Sequence, residues 1–159
     1  MKKFILCMIT VCAMLLCSCG AAAEKSFSES GISITLTEDF SYEKYDNCDA
    51  CFKSDKATVY VFSQDFTDVM GMEILSAKQY AEAIASLNAS ASEVTEKDGL
   101  AYYEYTSNSL DGTVYKNISF AFKGSLKFYT LQFSAKEKDF AKLRDSFFTY
   151  AATFAFEKA

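Results

Sequence analysis

Hydrophobic and polar residues alternate with a period of two through most of the chain after Gly31, which predicts β-strands. The cleanest alternation is ISITL at 32–36. The runs 50–54 and 57–63 flank Asp55-Lys56, which predicts a tight hairpin. Further strands are predicted, between Gly, Asp and Asn turn signals, at 92–97, 100–108, 113–123, 126–134 and 153–156.

Two segments carry the signature of a helix N-terminus instead. The sequence SAKQ at 76–79 matches a capping box and predicts a helix to about residue 89. Tyr80, Ile84 and Leu87 lie on one face of that helix. The sequence SAKE at 134–137 matches a second capping box and predicts a helix to about residue 151.

The central strands carry apolar residues on both faces, and this feature indicates the fold. In 120–122 (FAF) and 128–133 (FYTLQF) both alternating sets include large apolar side chains. A sheet covered on both sides requires that pattern, and one helix on each face satisfies it. The predicted fold is therefore α+β, an antiparallel sheet sandwiched between helices in an α-β-α arrangement. Its expected core includes Phe120, Phe122, Phe128 and Phe133.

The first residues have a different pattern. MKK is a short basic head, residues 4–16 are almost wholly apolar, and small residues follow. This order is typical of a secretory signal. The apolar run is well short of the roughly 20 residues that a membrane-spanning helix needs, so a permanent transmembrane anchor is disfavoured.

The end of this segment resembles the lipobox of a bacterial lipoprotein. Leu16-Cys17-Ser18-Cys19 has leucine, a tolerant position, a small residue and then cysteine. The resemblance implies a signal peptide over 1–18 and acyl chains, such as palmitate, on Cys19. A polar linker over 19–30 and one domain over 31–159 would follow. Two or more acyl chains anchor a protein stably, whereas one binds only reversibly. The alternative is ordinary secretory cleavage near residue 22 or 23.

The net charge of the chain argues against two classes of binding partner, anionic membrane surfaces and nucleic acids. The chain has 16 Lys and Arg against 21 Asp and Glu, a net charge of −5. Removal of the signal peptide takes away Lys2 and Lys3 and no acid. An acidic domain is repelled by an anionic membrane surface, so the membrane contact is expected through the lipid alone. No basic patch is present to neutralise phosphates, so no nucleic-acid partner is expected.

Histidine is absent from the sequence. Ser-His and Cys-His nucleophile pairs are thereby excluded, as are imidazole metal sites. No spacing indicates lysine or carboxylate catalysis. The sequence therefore predicts no catalytic residue, no metal and no cofactor, and the protein is not expected to be an enzyme.

The pair Cys48-Asp49-Ala50-Cys51 leaves several interpretations open. A c-type haem site would need His where Phe52 stands. A zinc site needs four ligands, and the domain offers two cysteines with poor supplements. A thioredoxin-type site begins a helix, whereas this pair enters a strand beside acids that raise a thiol pKa. A local disulfide or two free thiols are the structural alternatives, and redox activity is the functional one.

Tyrosines form the other candidate site. Tyr102, Tyr103 and Tyr105 crowd one predicted strand, and Tyr115 lies on its expected neighbour. Alternation places Tyr103 and Tyr105 on one face and Tyr102 on the other. Because tyrosine is an amphipathic contact residue, these four are the candidate binding surface, and packing in the core beneath the helices is the alternative for about half of the tyrosines.

The order of elements resembles the PsbP-like superfamily. The resemblance rests on GISITL at 31–36, the hairpin ending VYVF at 59–62, the helix from Ser76, DGLAYY at 98–103 and the aromatic hairpin 113–133. It implies a non-catalytic binding or assembly domain without a shared active site. We therefore expect the protein to be an extracytoplasmic lipoprotein of the cell envelope that binds a protein or a small ligand. A Gram-positive cell suits the lysine-rich composition, and a thiol-redox accessory role for Cys48 and Cys51 is the alternative.

Overall fold

The computed structural model describes residues 23–156, so the predicted signal peptide and Cys19 lie outside the described residues. Along this part of the chain, five strands precede the first α-helix, four more lie between the two α-helices, and every predicted element from residue 32 onward has a counterpart. The strands are β1 Glu24–Glu29, β2 Ile32–Thr37, β3 Ser41–Glu43, β4 Ala50–Lys53, β5 Ala57–Asp65, β6 Thr95–Lys97, β7 Leu100–Asn108, β8 Val114–Lys123, β9 Lys127–Lys136 and β10 Ala155–Phe156. The helices are α1 Ala77–Ala85 and α2 Glu137–Ala152, with short 3-10 helices at Phe66–Asp68 and Met72–Ile74.

The strands form two sheets. The larger has seven strands in the order β3-β4-β5-β9-β8-β7-β6, and the smaller has three in the order β1-β2-β10. Within residues 23–156, neighbouring strands in both sheets pair antiparallel. Local hairpins account for most neighbours, but β5 pairs with β9 across a long stretch of chain. The predicted antiparallel α-β-α arrangement is confirmed, with the small sheet added.

One face of the large sheet carries the main hydrophobic core. Helix α2 packs on β8 and β9 there, and it also contacts β2 of the small sheet. Phe133 stacks on Phe147 of α2 at 4.8 Å between ring centroids, and Phe120 contacts Phe148 at 5.1 Å. Both strand phenylalanines are fully buried. This face is closed by apolar packing.

The opposite face is only partly covered. Helix α1 packs there on β7 and β8, and Tyr80 stacks on Phe128 at 4.3 Å. The helix has nine residues, so it is only about 14 Å long. The two short 3-10 helices also contact this side of the sheet, where Phe66 packs on Phe128 at 5.1 Å. No further α-helix of the described chain covers this face, which we call the α1 face. A site can therefore form beside α1.

The structure differs from the predicted polar linker over 19–30 in the part that it describes. Residues Glu24–Glu29 form β1, which pairs with all of β2. The single apolar residue of this segment, Phe27, is buried and packs on Phe52 at 5.0 Å. One aromatic side chain is too little to give an alternating pattern, and for that reason the strand was not predicted.

The two capping boxes had different outcomes. At α1 the box forms: the Gln79 amide donates to Ser76 Oγ at 3.2 Å, and the Ser76 amide donates to Gln79 Oε1 at 2.9 Å. The helix ends at Ala85 rather than near residue 89, and Leu87 is 83% exposed rather than on the buried face. At 134–137 the predicted box is wrong, because β9 continues to Lys136 and Ser134 pairs within the sheet.

Replacement of Phe133 by alanine tests the core on the α2 face. Phe133 has no exposed surface and touches rings from both a strand and a helix. We expect Phe133→Ala to lower the free energy of unfolding by about 3–5 kcal/mol in urea titrations, because it leaves a cavity. The control Leu126→Ala, at a side chain 63% exposed, should change it by less than about 0.5 kcal/mol. A similar loss for both variants would contradict this placement of the core.

Candidate functional site

A groove crosses the α1 face between α1 and the β4–β5 side of the sheet. It consists of a hollow of about 510 Å³ and an adjoining one of about 330 Å³, which share Phe62 and Gln132. Both volumes fall in the range of small-molecule sites. We use the term groove for these two hollows, whose centre is lined by Thr58, Tyr60, Phe62, Tyr105, Gln132 and Ser134.

Strand register brings polar residues from four strands together beneath the groove. Residues that pair directly across neighbouring strands point to the same face. Two cross-strand rows result, running from β5 through β9 and β8 to β7. They are Thr58, Ser134, Asn117 and Tyr105 in one row, and Tyr60, Gln132, Ser119 and Tyr103 in the other.

Aromatic pairs stand on the two outer strands of these rows. Tyr103 and Tyr105 of β7 stack at 6.0 Å with an interplanar angle of 27°. Tyr60 and Phe62 of β5 stack at 6.2 Å and 24°. Since β9 and β8 lie between them, the two walls start from strand axes about 14 Å apart. The groove therefore has aromatic walls and a polar floor.

The floor is fixed by a hydrogen-bond network centred on Asn117. This side chain is 2% exposed, and its Nδ2 donates to Ser107 Oγ at 3.0 Å and to the Tyr105 carbonyl at 3.4 Å. Gln132 Nε2 donates to Asn117 Oδ1 at 3.5 Å. The amide orientations are thereby set before any ligand arrives.

Ser119 is the exception in this floor. The residue is 1% exposed, and its Oγ has no hydrogen-bond partner of ordinary geometry in the described chain. Burial raises the pKa values of the Tyr103 and Tyr105 phenols, and the nearby Ser119 hydroxyl offsets a small part of that rise. A buried hydroxyl left in this state costs about 1–3 kcal/mol.

The groove carries little charge. Burial raises the pKa of Tyr105 to about 12, with smaller contributions from Tyr103 and Tyr60. Burial also raises the pKa values of Tyr60 and Tyr103, so these phenols stay protonated at neutral pH. The one charged residue that lines either hollow is Lys53, which pairs with Glu43 at 3.7 Å.

The predicted tyrosine surface divides between the two faces of the sheet. Tyr103, Tyr105 and Tyr115 line the groove or its end. Tyr102 lies on the opposite face, where its ring contacts Phe148 at 4.9 Å, so the predicted alternation is confirmed. Tyr102 therefore cannot share a surface with the other three.

Sequence reasoning missed the part of the groove that comes from β5 and β9. Tyr60 and Gln132 lie at its centre, yet each belongs to a strand predicted only as a structural element. The polar residues at every second position of β9 (Thr130, Gln132, Ser134) were the available signal, since a fully buried strand would carry apolar residues there.

The thiols of Cys48 and Cys51 are free in the structure. Cys51 is buried in β4 opposite Tyr60, and Cys48 is half-buried in the preceding turn. Burial, followed by Cys48 and Glu43, raises the pKa of Cys51 to about 11, and burial with Asp49 raises that of Cys48. Because the thiolate is the reactive form, this environment disfavours redox exchange.

Neither the hollow beside α2 nor the potential metal ligands of the described residues add a competing site. A hollow of about 800 Å³ lies beside α2, but its polar side chains, Lys97, Asp98, Asp145, Thr149 and Thr153, are all exposed. Within residues 23–156, no cluster of three or more His, Cys, Asp or Glu side chains could hold a metal ion.

None of the helices in that same part of the chain combines the length and the apolar character that crossing a membrane requires.

Thiol reactivity tests the environment of the cysteine pair. With a pKa of about 11, on the order of 0.1% of Cys51 is thiolate at pH 8. We expect Cys48 in Cys51→Ala to react with a disulfide reagent faster than Cys51 in Cys48→Ala, because Cys48 is less buried. Both rates should lie below that of N-acetylcysteine and should keep rising above pH 9. A thiol that outpaces N-acetylcysteine at neutral pH would contradict the raised pKa values.

Comparison with known proteins gives a fold but not a family. No protein-family description matches the sequence, and no curated protein matches it. Among solved structures, PsbP (CyanoP) of the cyanobacterium Synechocystis sp. PCC 6803 is similar over 90% of this chain and 99% of its own, at 15% identity and a TM-score of 0.54. A protein of Bacteroides thetaiotaomicron matches 84% of this chain at 17% identity and a TM-score of 0.57.

The chain spans about half of that Bacteroides protein, 48% of its length. LpqN of Mycobacterium tuberculosis, described as involved in cell envelope biogenesis, is 10% identical over 84% of this chain and 90% of its own, with a TM-score of 0.46. The similarity to CyanoP supports the expected resemblance at the level of fold. This chain has a PsbP-like α+β fold.

Proposed function

We propose that this protein is a non-catalytic binding module that works outside the cytoplasm, anchored to the membrane by lipid on Cys19, and that the groove receives its ligand. The groove itself is the observation that carries the proposal. It combines a polar floor drawn from four strands with aromatic walls, and it remains open because α1 covers only part of its face. Concave sites of this composition are typical of ligand binding.

Fixed geometry supports binding. The Asn117 side chain is held by Ser107 and by the Tyr105 carbonyl, and it in turn orients Gln132. A ligand that meets polar groups already held in place loses less free energy to ordering them. The floor is therefore suited to recognising a ligand that fits it without rearrangement.

The lining of the groove gives no support to catalysis or to redox chemistry. It contains no carboxylate among the described residues, and the sequence has no histidine. General acid–base or nucleophilic catalysis needs a group that exchanges a proton near neutral pH. Here the phenols and thiols with shifted pKa values all move away from neutrality. The redox role of Cys48 and Cys51 is therefore the weaker hypothesis.

The proposed location outside the cytoplasm rests on the sequence. The basic head, the apolar run and LCSC at 16–19 together match a lipoprotein signal. Lipid on Cys19 would hold the domain on the outer face of the cytoplasmic membrane, most simply in a Gram-positive cell. The acidic domain would be repelled by anionic headgroups, so its own surface adds little to membrane attachment.

Substitutions of Cys17 and Cys19, which are separated by one residue, test the proposed lipid anchor. Cys19→Ser removes the sulfur that would carry the lipid, so the protein should leave the membrane fraction or remain an uncleaved precursor. Cys17→Ser keeps the lipobox cysteine and should stay in the membrane fraction. Mass spectrometry of the protein from detergent extracts should show diacylglycerol on Cys19. An unacylated, soluble wild-type protein would refute the proposed address.

Chemical footprinting tests the groove without knowing the ligand. Tyr45 lies in the groove and is 48% exposed, whereas Tyr42 is 42% exposed on the opposite face beside Phe52. We expect a detergent extract of the cell envelope to reduce hydroxyl-radical labelling of Tyr45 severalfold and to leave Tyr42 unchanged. Substitution Ser134→Trp, which fills the groove, should abolish the protection. Equal labelling of both tyrosines with and without extract would count against binding at this site.

A further inference from the structure

We infer that the groove recognises a neutral saccharide, an inference that rests on the proposed binding function and specifies its ligand class. The uncharged lining is the first argument. An anionic ligand would meet one cation, Lys53, which is already paired with Glu43. A cationic ligand would find no carboxylate on the walls or floor of the two hollows. Charge complementarity therefore favours a ligand without net charge.

The type of polar group is the second argument. Thr58, Gln132 and Ser134 present hydroxyl and amide groups, each of which can both donate and accept hydrogen bonds. A sugar hydroxyl has the same double capacity, so a row of such groups can be matched one by one. A mainly apolar ligand would leave this floor desolvated and unpaired, which is costly.

The aromatic walls are the third argument. Tyr60 and Phe62 present nearly parallel rings on one side, and Tyr105 does so on the other, stacked on Tyr103, which is itself buried at 6% exposure. The flat apolar C–H face of a pyranose can pack on such a ring while its hydroxyls point toward the floor. Raised pKa values keep the phenol hydroxyls protonated, so they also remain donors. Two walls would contact successive sugar units better than one.

Ser119 gives an independent indication that the floor is built for binding. Its hydroxyl is buried beneath Tyr103 and Tyr105 with no partner of ordinary geometry in the described chain. A buried hydroxyl without a partner costs stability, and such a cost in a folded protein calls for a reason other than folding. Ser119 acts here as a positioning residue for the tyrosine wall, since it does not itself line the hollows.

The test uses the full lipidated protein in detergent and a matched set of trisaccharides. The neutral probes are maltotriose, cellotriose and triacetylchitotriose. The charged controls are deacetylated chitotriose, which is cationic, and trigalacturonic acid, which is anionic. By isothermal titration calorimetry, we expect at least one neutral probe to bind with a Kd below about 1 mM and both charged probes to bind at least tenfold more weakly.

Variants on the two faces of β7 locate the binding. Tyr105→Phe removes one hydroxyl from the groove and should weaken the bound neutral probe about fivefold. Tyr102→Phe removes the same group from the opposite face and should leave the affinity unchanged. Ser119→Ala should weaken binding while it raises Tm by about 3–6 °C, because it removes the unpaired buried hydroxyl. If Ser119 had only a structural role, the substitution would change Tm without weakening the binding of the probe.

The possible results separate this inference from the function on which it rests. If no neutral probe binds, or the charged probes bind equally well, the saccharide inference is overturned. Continued protection of Tyr45 by envelope extract in that case would leave the binding module in place with another ligand. Loss of both saccharide binding and Tyr45 protection would overturn both. Binding that responds equally to Tyr105→Phe and Tyr102→Phe would overturn the assignment to the groove.

Discussion

Two central strands, β8 and β9, are packed on both faces, and the rest of the structure depends on how they divide their residues. Phe120 and Phe133 point to the α2 face and are fully buried there. At about 1.5–3 kcal/mol for each large apolar side chain, this face supplies much of the stability. The intervening positions, such as Asn117 and Gln132, are thereby free to be polar. The groove is possible because the core has been built on the other side of the same strands.

Much of the fold could be predicted from the sequence because its signals are local. Alternation, turn residues and the capping box at Ser76 depend on neighbours a few residues away, and β7 was predicted with its observed bounds. The failures are also physical. The motif at 134–137 matches a helix cap, but Ser134 pairs with residues of β5 and β8 inside the sheet. It therefore cannot lie at the N-terminus of a helix. Strand β1 has a single buried anchor, Phe27, which gives no periodic signal.

The candidate site could be predicted only in part, since it is assembled across strands that are distant in sequence. Alternation placed Tyr103 and Tyr105 on one face of β7, because that depends on one strand alone. The presence of Tyr60 beside them depends on the pairing of β5 with β9, which no local pattern specifies. The buried Ser119 hydroxyl is visible only in three dimensions. Residues such as Tyr60 and Gln132, which the sequence indicated only as parts of strands, thus form the centre of the groove.

The early start of β1 has a mechanical consequence. Ala23 is already held by the sheet, because its carbonyl accepts a hydrogen bond from the Glu38 amide at 2.8 Å. With lipid on Cys19, four peptide units separate the anchor from the folded body, and they reach at most about 14 Å. The folded domain would therefore stay within a short distance of the bilayer surface. A ligand would therefore meet it among wall-facing or membrane-bound molecules rather than far out in the surroundings.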